Sequence, residues 1–358
     1  MRLLVTGGAG YIGTHLVIDL LKAGHDVVVV DNFSSGHREA LERAQSLTGR
    51  AVTLFEGDIA DLALMEHALC GVEVVFHLAA SKKVGESMAM PELYFQNNIG
   101  GMATLLTAMQ KVGVHRIVYS SSAAVYGPQP PAPIREDALL QPENPYGYSK
   151  VQGEQQLAWM VRQRGWSAVS LRYFNPVGAH PSGLIGEPFA EAASLVPRAL
   201  KALTRDHDQL TVFGTDYDTP DGTCLRDYIH ISDLSRAHLA AMQGLDTPGH
   251  HIFNVGTGRP YSVREVLDTC ARMTGRTVPH TDGDRRDGDV AVAVADPSHF
   301  RETLGFEARC DLEDMVASAW NWYLRNPDGY SRAASTRRWS ISGQRHSVIL
   351  GNLAAVEH

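Results

Sequence analysis

The chain has 358 residues, 44% of them hydrophobic, and a formal net charge of −8 at neutral pH. That length and apolar content support a sizeable core, in two lobes, and the acidic balance argues against a nucleic-acid footprint, which would be basic. No apolar run approaches the roughly 18 residues of a membrane span, and Met1 to Thr6 runs straight into glycines with no signal-peptide pattern.

Strands are expected at Arg2–Thr6, Asp26–Val30, Val52–Glu56, Val74–His77, Arg116–Tyr119 and Ala168–Leu171. Between them lie helical patterns near Ile12–Lys22, Arg38–Leu47, Leu62–Leu69, Asn98–Lys111 and Tyr146–Arg164. Apolar strands without alternation, separated by helices, predict a parallel sheet covered on both faces. This is the doubly wound α/β (Rossmann) arrangement, whose ligands sit outside the carboxyl ends of the strands. After about residue 175 the texture becomes loop-rich, with further strands near Thr211–Gly214 and at Ile252–Val255. The expected division is a nucleotide-binding domain over 1–175, with later segments near 211–255 returning to it. A smaller interleaved lobe follows over 176–330, and from Ser331 a polar tail over 331–358.

Cys70, Cys224, Cys270 and Cys310 are scattered, with no CxxC pair, so a reduced cytoplasmic protein is the plain reading. Sixteen histidines form no HExxH and no paired ligand spacing, and no metal is expected. No G-x-S-x-G elbow supports hydrolase chemistry.

Gly8, Gly10 and Gly13 satisfy GxGxxG, and Gly7, Gly10 and Gly13 the wider GxxGxxG. The run follows a strand and opens an apolar helix, where backbone amides can hold a pyrophosphate. Asp31 ends the next strand, placed to bond two ribose hydroxyls and to repel a 2′-phosphate; NAD is therefore expected rather than NADP, and Asn32 offers no cation to reverse that. Asp58 stands where it meets the adenine end or merely caps a helix. Ala79 to Lys82 follow the fourth strand, Ser120 to Ser122 the fifth and Asn175 the sixth. All these residues fall on one edge of one sheet.

Asn144-Pro145 is a natural helix entry. Tyr146 and Lys150 then share one helix face. A lysine cation and a positively charged nicotinamide both favour a phenolate, giving a base usable near neutrality. With Ser122 bonding the reacting hydroxyl, the trio predicts hydride transfer between a nicotinamide and a carbinol carbon. Ser120 and Ser121 are expected to satisfy backbone. The runs Leu225-Arg226-Asp227-Tyr228 and Arg285 to Asp289 read equally as surface salt bridges or as arginines gripping a diphosphate.

Over residues 1 to 330 these stretches resemble the UDP-glucose 4-epimerases of the extended short-chain dehydrogenase/reductase family. The resemblance is carried by Met1 to Gly13, Gly24-His25-Asp26, Glu56-Gly57-Asp58-Ile59, Val84-Gly85-Glu86-Ser87, Ser120 to Gly127, Arg172 to Gly183, Arg226-Asp227-Tyr228-Ile229-His230 and Arg285 to Asp289. It implies a tightly held NAD contacted by Gly7, Gly10, Tyr11, Ile12, Gly13, Asp31, Asn32, Asp58, Ile59, Ala79, Ala80, Lys82, Asn97, Ser122, Tyr146, Lys150 and Tyr173. It implies a catalytic set of Ser122, Tyr146 and Lys150, and a UDP-sugar held by Lys82, Ser122, Tyr146, Phe174, Asn175, Ser194, Leu195, Arg226, Arg286, Asp289 and Ala293. It also implies a homodimer joined through the helices at Asn98–Lys111 and Tyr146–Arg164.

Some positions depart from the family. Ser194 stands where asparagine is frequent, Ala80 where glycine is usual and Tyr148 where lysine is common. Ala293 stands where a bulky tyrosine restricts some members to plain hexoses, so the resemblance implies acceptance of N-acetylhexosamines too. Sugar-nucleotide dehydratases carry Asp-Glu after the serine cluster; Ala123 and Ala124 here cannot eliminate water. UDP-glucuronate epimerases or decarboxylases, and a non-catalytic NAD sensor, are the remaining alternatives.

Overall fold

The structure, a computed structural model, describes residues 1–128, 132–192, 194–204, 209–286 and 288–331. The expected tail therefore lies outside the described residues from 332 onward.

Strands β1 (Arg2–Thr6), β2 (Asp26–Asp31), β3 (Thr53–Glu56), β4 (Val74–His77), β5 (Arg116–Ser120) and β6 (Ser167–Tyr173) alternate with helices α1 (Tyr11–Lys22), α2 (Arg38–Thr48), α3 (Leu62–Ala68), α4 (Val84–Ala89), α5 (Pro91–Tyr94), α6 (Gly101–Val112) and α7 (Pro145–Arg164). Beyond them come β7 (Asn175–Val177), α8 (Leu195–Ala202), β8 (Leu210–Phe213), β9 (Leu225–His230), α9 (Ile231–Ala241), β10 (Gly249–Val255), β11 (Pro260–Ser262), α10 (Val263–Thr274), β12 (His280–Gly283), β13 (Val292–Ala293), α11 (Ser298–Leu304) and α12 (Leu312–Arg325).

Seven strands form one parallel sheet in the order β10-β6-β5-β4-β1-β2-β3. Leu3 to Val5, Val27 to Val30 and Val74 to Phe76 are wholly buried, as a sheet covered on both faces requires. On one face α1 packs between α2 and α9, and on the other α3 packs on α6. The chain order reverses beside β1, between β1 and β4, which opens a crevice at the carboxyl edge.

β9 is the centre of the second lobe, flanked by antiparallel β11 and by parallel β7 and β13. Helices α8, α10 and α12 cover a second core, including Val196, Leu200, Val266, Val316 and Trp322. Two expectations are corrected here. Of the segments at 211–255, α9 packs on α1 and β10 extends the large sheet, but β8 pairs with β12 instead, because its partner lies far downstream. The helix expected from Asn98 begins as a π-helical turn, Phe95–Gly100, before α6.

A buried carboxylate joins the two lobes. Asp227 of β9 accepts the Thr257 N–H (2.9 Å), the Thr257 hydroxyl (2.8 Å), the Gly258 N–H (2.9 Å) and the Ala295 N–H (3.2 Å). This holds the loop after β10 against the second lobe. Among the described residues, no helix is long and apolar enough to cross a membrane.

Candidate active site

The turn between β1 and α1 is built for close approach. Gly7 has φ +72°, and a Cβ at Gly13 would lie 2.1 Å from the Gly7 carbonyl oxygen, so only glycine lets α1 sit down on the strand. A Cβ at Gly10 would meet only that same carbonyl, at 3.3 Å, and no other protein atom within 4 Å. The first amides of α1 open onto that space, a cradle that fits a pyrophosphate. Asp31 ends β2 with each oxygen bonded to a backbone amide, Ala9 N–H and Phe33 N–H, both at 2.8 Å. Burial pushes its carboxyl up and those two bonds oppose it. Asn32 Nδ2 donates to Asp58 Oδ2 (2.8 Å), while Asp58 Oδ1 accepts the Ala60 N–H (2.9 Å). Asp58 thus braces the turn after β3 and faces the end of β2, while the cap of α3 is Asp61. Ile59 is buried beneath Gly101.

After β4, the Ala79 backbone abuts Gly7, and the π turn brings Asn97 Nδ2 to Ser81 Oγ at 3.0 Å. Ala80 lies between them, part-buried. Extra turns of this kind are frequent at functional sites. Lys82 Nζ pairs with Glu187 Oε1 at 3.2 Å, a carboxylate that the sequence does not mark.

Asn144 caps α7, accepting the Gly147 N–H at 2.8 Å, with Pro145 in the first turn. Tyr146 and Lys150 are both buried on one face of that helix. Lys150 Nζ donates to the Ser120 carbonyl at 2.7 Å and stands 5.8 Å from the Tyr146 ring centre and 5.0 Å from that of Tyr119. Ser122 Oγ accepts the Ala124 N–H (3.2 Å) and stands near enough to the Tyr146 phenol to favour its ionised form. The structure therefore brings Ser122, Tyr146 and Lys150 together. Tyr173 lies beside them, part-buried, at the end of β6.

The electrostatics differ from the sequence expectation. Burial pushes the Tyr146 phenol up, and Ser122 only partly opposes it. Burial also pushes the Lys150 ammonium down to about 7, against the supporting charge of Glu154. Without further positive charge, burial therefore holds the proton on the phenol. The serine expectation is also corrected. Ser120 Oγ meets His238 Nε2 (3.0 Å) and Ser121 Oγ donates to Glu154 Oε1 (2.5 Å), so both hydroxyls serve side chains rather than backbone.

In the second lobe one carboxylate gathers two guanidiniums. Asp289 Oδ1 accepts from Arg226 Nη2 (3.3 Å) and Asp289 Oδ2 from Arg286 Nε (3.0 Å). Arg286 also lies 4.7 Å over the Phe213 ring. Ala293 sits next to Arg226 in the parallel register of β13 and β9. Asn175 Nδ2 donates to the Asp227 carbonyl (2.7 Å), Phe174 is buried, and Leu195 opens α8. Ser194 Oγ and the Tyr217 hydroxyl are buried without a hydrogen-bond partner. Arg285 turns instead to Asp216 and stacks on Tyr217. Tyr217, Phe213, Glu154, Arg172 and Glu187 were not singled out from sequence, where no spacing marks them.

The chain is similar to known proteins over most of its length. The model of the NAD dependent epimerase/dehydratase family matches residues 3–256. The chain is 44% identical to the UDP-glucose 4-epimerase of Bacillus subtilis (strain 168) over 338 residues, covering 93% of this chain and 100% of that one. The crystal structure of the Bifidobacterium longum UDP-glucose 4-epimerase in complex with NAD+ and UDP superposes with TM-score 0.87, at 43% identity over 92% of this chain and 100% of that one. The UDP-glucose-4-epimerase of Stenotrophomonas maltophila, with bound NAD and formylated UDP-arabinopyranose, gives TM-score 0.89 at 42% identity, covering 91% and 99%. On the match across most of its length, the chain belongs to the NAD dependent epimerase/dehydratase family.

Proposed function

We infer that the chain is an NAD-dependent epimerase that inverts C4 of UDP-hexoses, interconverting UDP-glucose and UDP-galactose. The observation that carries this is the Ser122–Tyr146–Lys150 cluster at the same sheet edge as a glycine cradle, in a chain whose second lobe clusters two arginines on Asp289. NAD, when bound, supplies the hydride acceptor and the positive charge that favours the Tyr146 phenolate. Gly7, Gly10, Tyr11, Ile12, Gly13, Asp31, Asn32, Asp58, Ile59, Ala79, Ala80, Lys82, Asn97 and Tyr173 hold it.

Tyr146 takes the proton of the sugar 4-hydroxyl as C4 is oxidised, and returns it when the 4-keto sugar is reduced on its other face. Ser122 donates to or accepts from the same oxygen, and Lys150, one helical turn away, orients the phenol. Turning the sugar over requires the nucleotide to be held firmly and the hexose loosely. Arg226, Arg286 and Asp289 supply the firm part, with Asn175, Phe174, Ser194 and Leu195 lining the approach.

Ala293 supports a wider substrate range. A methyl beside Arg226 leaves room for an acetamido group, and the enzyme also interconverts UDP-GlcNAc and UDP-GalNAc. In this reading residues 1–175, completed by α9 and β10, hold the cofactor, and 176–330 hold the UDP-sugar. The working form is a cytoplasmic homodimer joined through α6 and α7, and the exposed Tyr148 and Trp159 on α7 support that pairing. The deciding experiment is conversion of UDP-galactose without added NAD by protein that carries its own dinucleotide. Protein that holds no NAD and leaves UDP-galactose unchanged would overturn the reading.

A further inference from the structure

Two carboxylates on the connection between β7 and α8 reach from the second lobe to the first, on opposite flanks of the glycine turn. Glu187 pairs with Lys82, just beyond β4, and Glu191 is hydrogen-bonded to His37, which leads into α2 beyond β2. In the sheet, β1 and its glycine turn lie between β4 and β2. Those two strands are therefore two ladder spacings apart, roughly 10 Å. The run from Glu187 to Glu191, extended by its side chains, covers that gap.

The contacts lie on the turn itself. The His37 N–H donates to the Ala9 carbonyl at 3.0 Å, and the Tyr11 hydroxyl donates to the Gly178 carbonyl at 2.7 Å. The Glu187 charge also acts on the Tyr11 phenol. Behind the loop its backbone is clamped. Trp322 Nε1 donates to the Glu187 carbonyl (3.0 Å), and the Tyr330 hydroxyl bonds both the Gly186 N–H (3.1 Å) and the Gly186 carbonyl (2.9 Å). Arg43 of α2 donates to the Leu184 carbonyl at 3.0 Å.

We propose that residues 183–191 form a strap across the pyrophosphate turn, fastened by Glu187 to Lys82 and by Glu191 to His37, which retains the dinucleotide from one turnover to the next. This rests on the reading of the site as an NAD site. An enzyme that returns its hydride to the same substrate gains nothing from cofactor exchange, and a dinucleotide lost in mid-cycle would strand an oxidised sugar. A fastening at each end means that release waits for the Lys82 ion pair or the His37 hydrogen bond to open.

The test measures NAD release rather than turnover. Purified holoenzyme is diluted into a trap that reduces free NAD and reports it by absorbance, for the parent and for Glu191→Gln, His37→Glu and the double variant His37→Glu/Glu191→Lys. Each single variant is expected to release NAD about tenfold faster, because loss of a part-buried hydrogen bond between the lobes appears in the off-rate. The double variant, with its charges exchanged, is expected to recover most of the retention, which a merely misfolded loop would not do. Single variants that hold NAD as long as the parent, or a double variant that fails to recover, would overturn the strap. A parent that carries no NAD at all would instead overturn the functional reading beneath it.

Discussion

Glu154 and Arg172 close on each other as a two-pronged ion pair, Nε to Oε1 at 2.9 Å and Nη2 to Oε2 at 2.7 Å, almost wholly out of water. Arg172 also donates to the Tyr126 hydroxyl (3.0 Å) and the Glu136 carbonyl (2.9 Å). Glu154 lies one turn beyond Lys150, so the pair is both a structural pin between α7 and β6 and the anionic support of the lysine. Glu154→Ala leaves a buried guanidinium without its partner, and urea unfolding is expected to show a loss of about 3–5 kcal/mol. Replacing both residues by leucine should cost less than the two single changes summed. Strict additivity would contradict the pairing.

Tyr146→Phe removes the proton-transfer oxygen and little else, since the ring remains packed against Tyr94. Turnover of UDP-galactose is expected to fall roughly 10²- to 10⁴-fold, with NAD still bound. A variant retaining more than a tenth of parental turnover would remove the phenol from the mechanism.

Lys150 gives a pH signature in stability. Its proton, ordinarily kept to 10.5, is held in the folded state only to about 7 because of burial. Between those values the unfolded chain binds more protons, so stability rises with pH, and this contribution is lost as pH falls through 7. For cofactor-stripped protein, the parent should gain on Lys150→Met by about 1 kcal/mol per pH unit above 7. Urea unfolding at pH 7 and pH 9 measures it; a constant difference between parent and variant would show that the lysine titrates normally.

Ala293→Tyr fills the space beside Arg226. Turnover of UDP-GlcNAc is expected to drop at least about a hundredfold while that of UDP-glucose changes by less than about threefold, the asymmetry a steric wall produces. Equal losses on both sugars would point to a disturbed β13 instead.

Arg286→Leu should raise KM for UDP-sugars about tenfold to a hundredfold, the range expected from losing one charge-assisted contact, with a smaller effect on kcat. Arg226→Leu should also destabilise the fold, because Arg226 Nη1 bonds the Leu225 and Val290 carbonyls as well. Initial rates together with thermal unfolding separate the two roles.

The large sheet was legible because buried parallel strands carry uninterrupted apolar runs, of which Val27 to Val30 is the clearest. β10 was seen only from Ile252 because its opening residues, Gly249, His250 and His251, carry no apolar signal. The second-lobe sheet was not legible. β7 and β11 have three residues each and β13 has two, too few for any period, and their partners are chosen by packing across long stretches of chain. Tyr146 and Lys150 stood out because helix geometry converts a spacing of four into proximity. The pairing of Glu154 with Arg172, and of Glu187 with Lys82, has no such local rule, since each joins two elements whose approach the fold alone decides. The raised phenol of Tyr146 was likewise invisible, because the depth of burial is not written in a motif.

The seventh strand of the large sheet comes from residues 249–255 and settles against β6, which ends at Tyr173. During synthesis β6 therefore emerges long before its outer neighbour, and its amides and carbonyls wait as a bare rim that invites pairing with other chains. A fragment stopping near residue 175 would keep that rim for good. Expressing the cofactor half alone should yield self-associating material, whereas a fusion that supplies residues 225–256 in the same polypeptide should restore solubility.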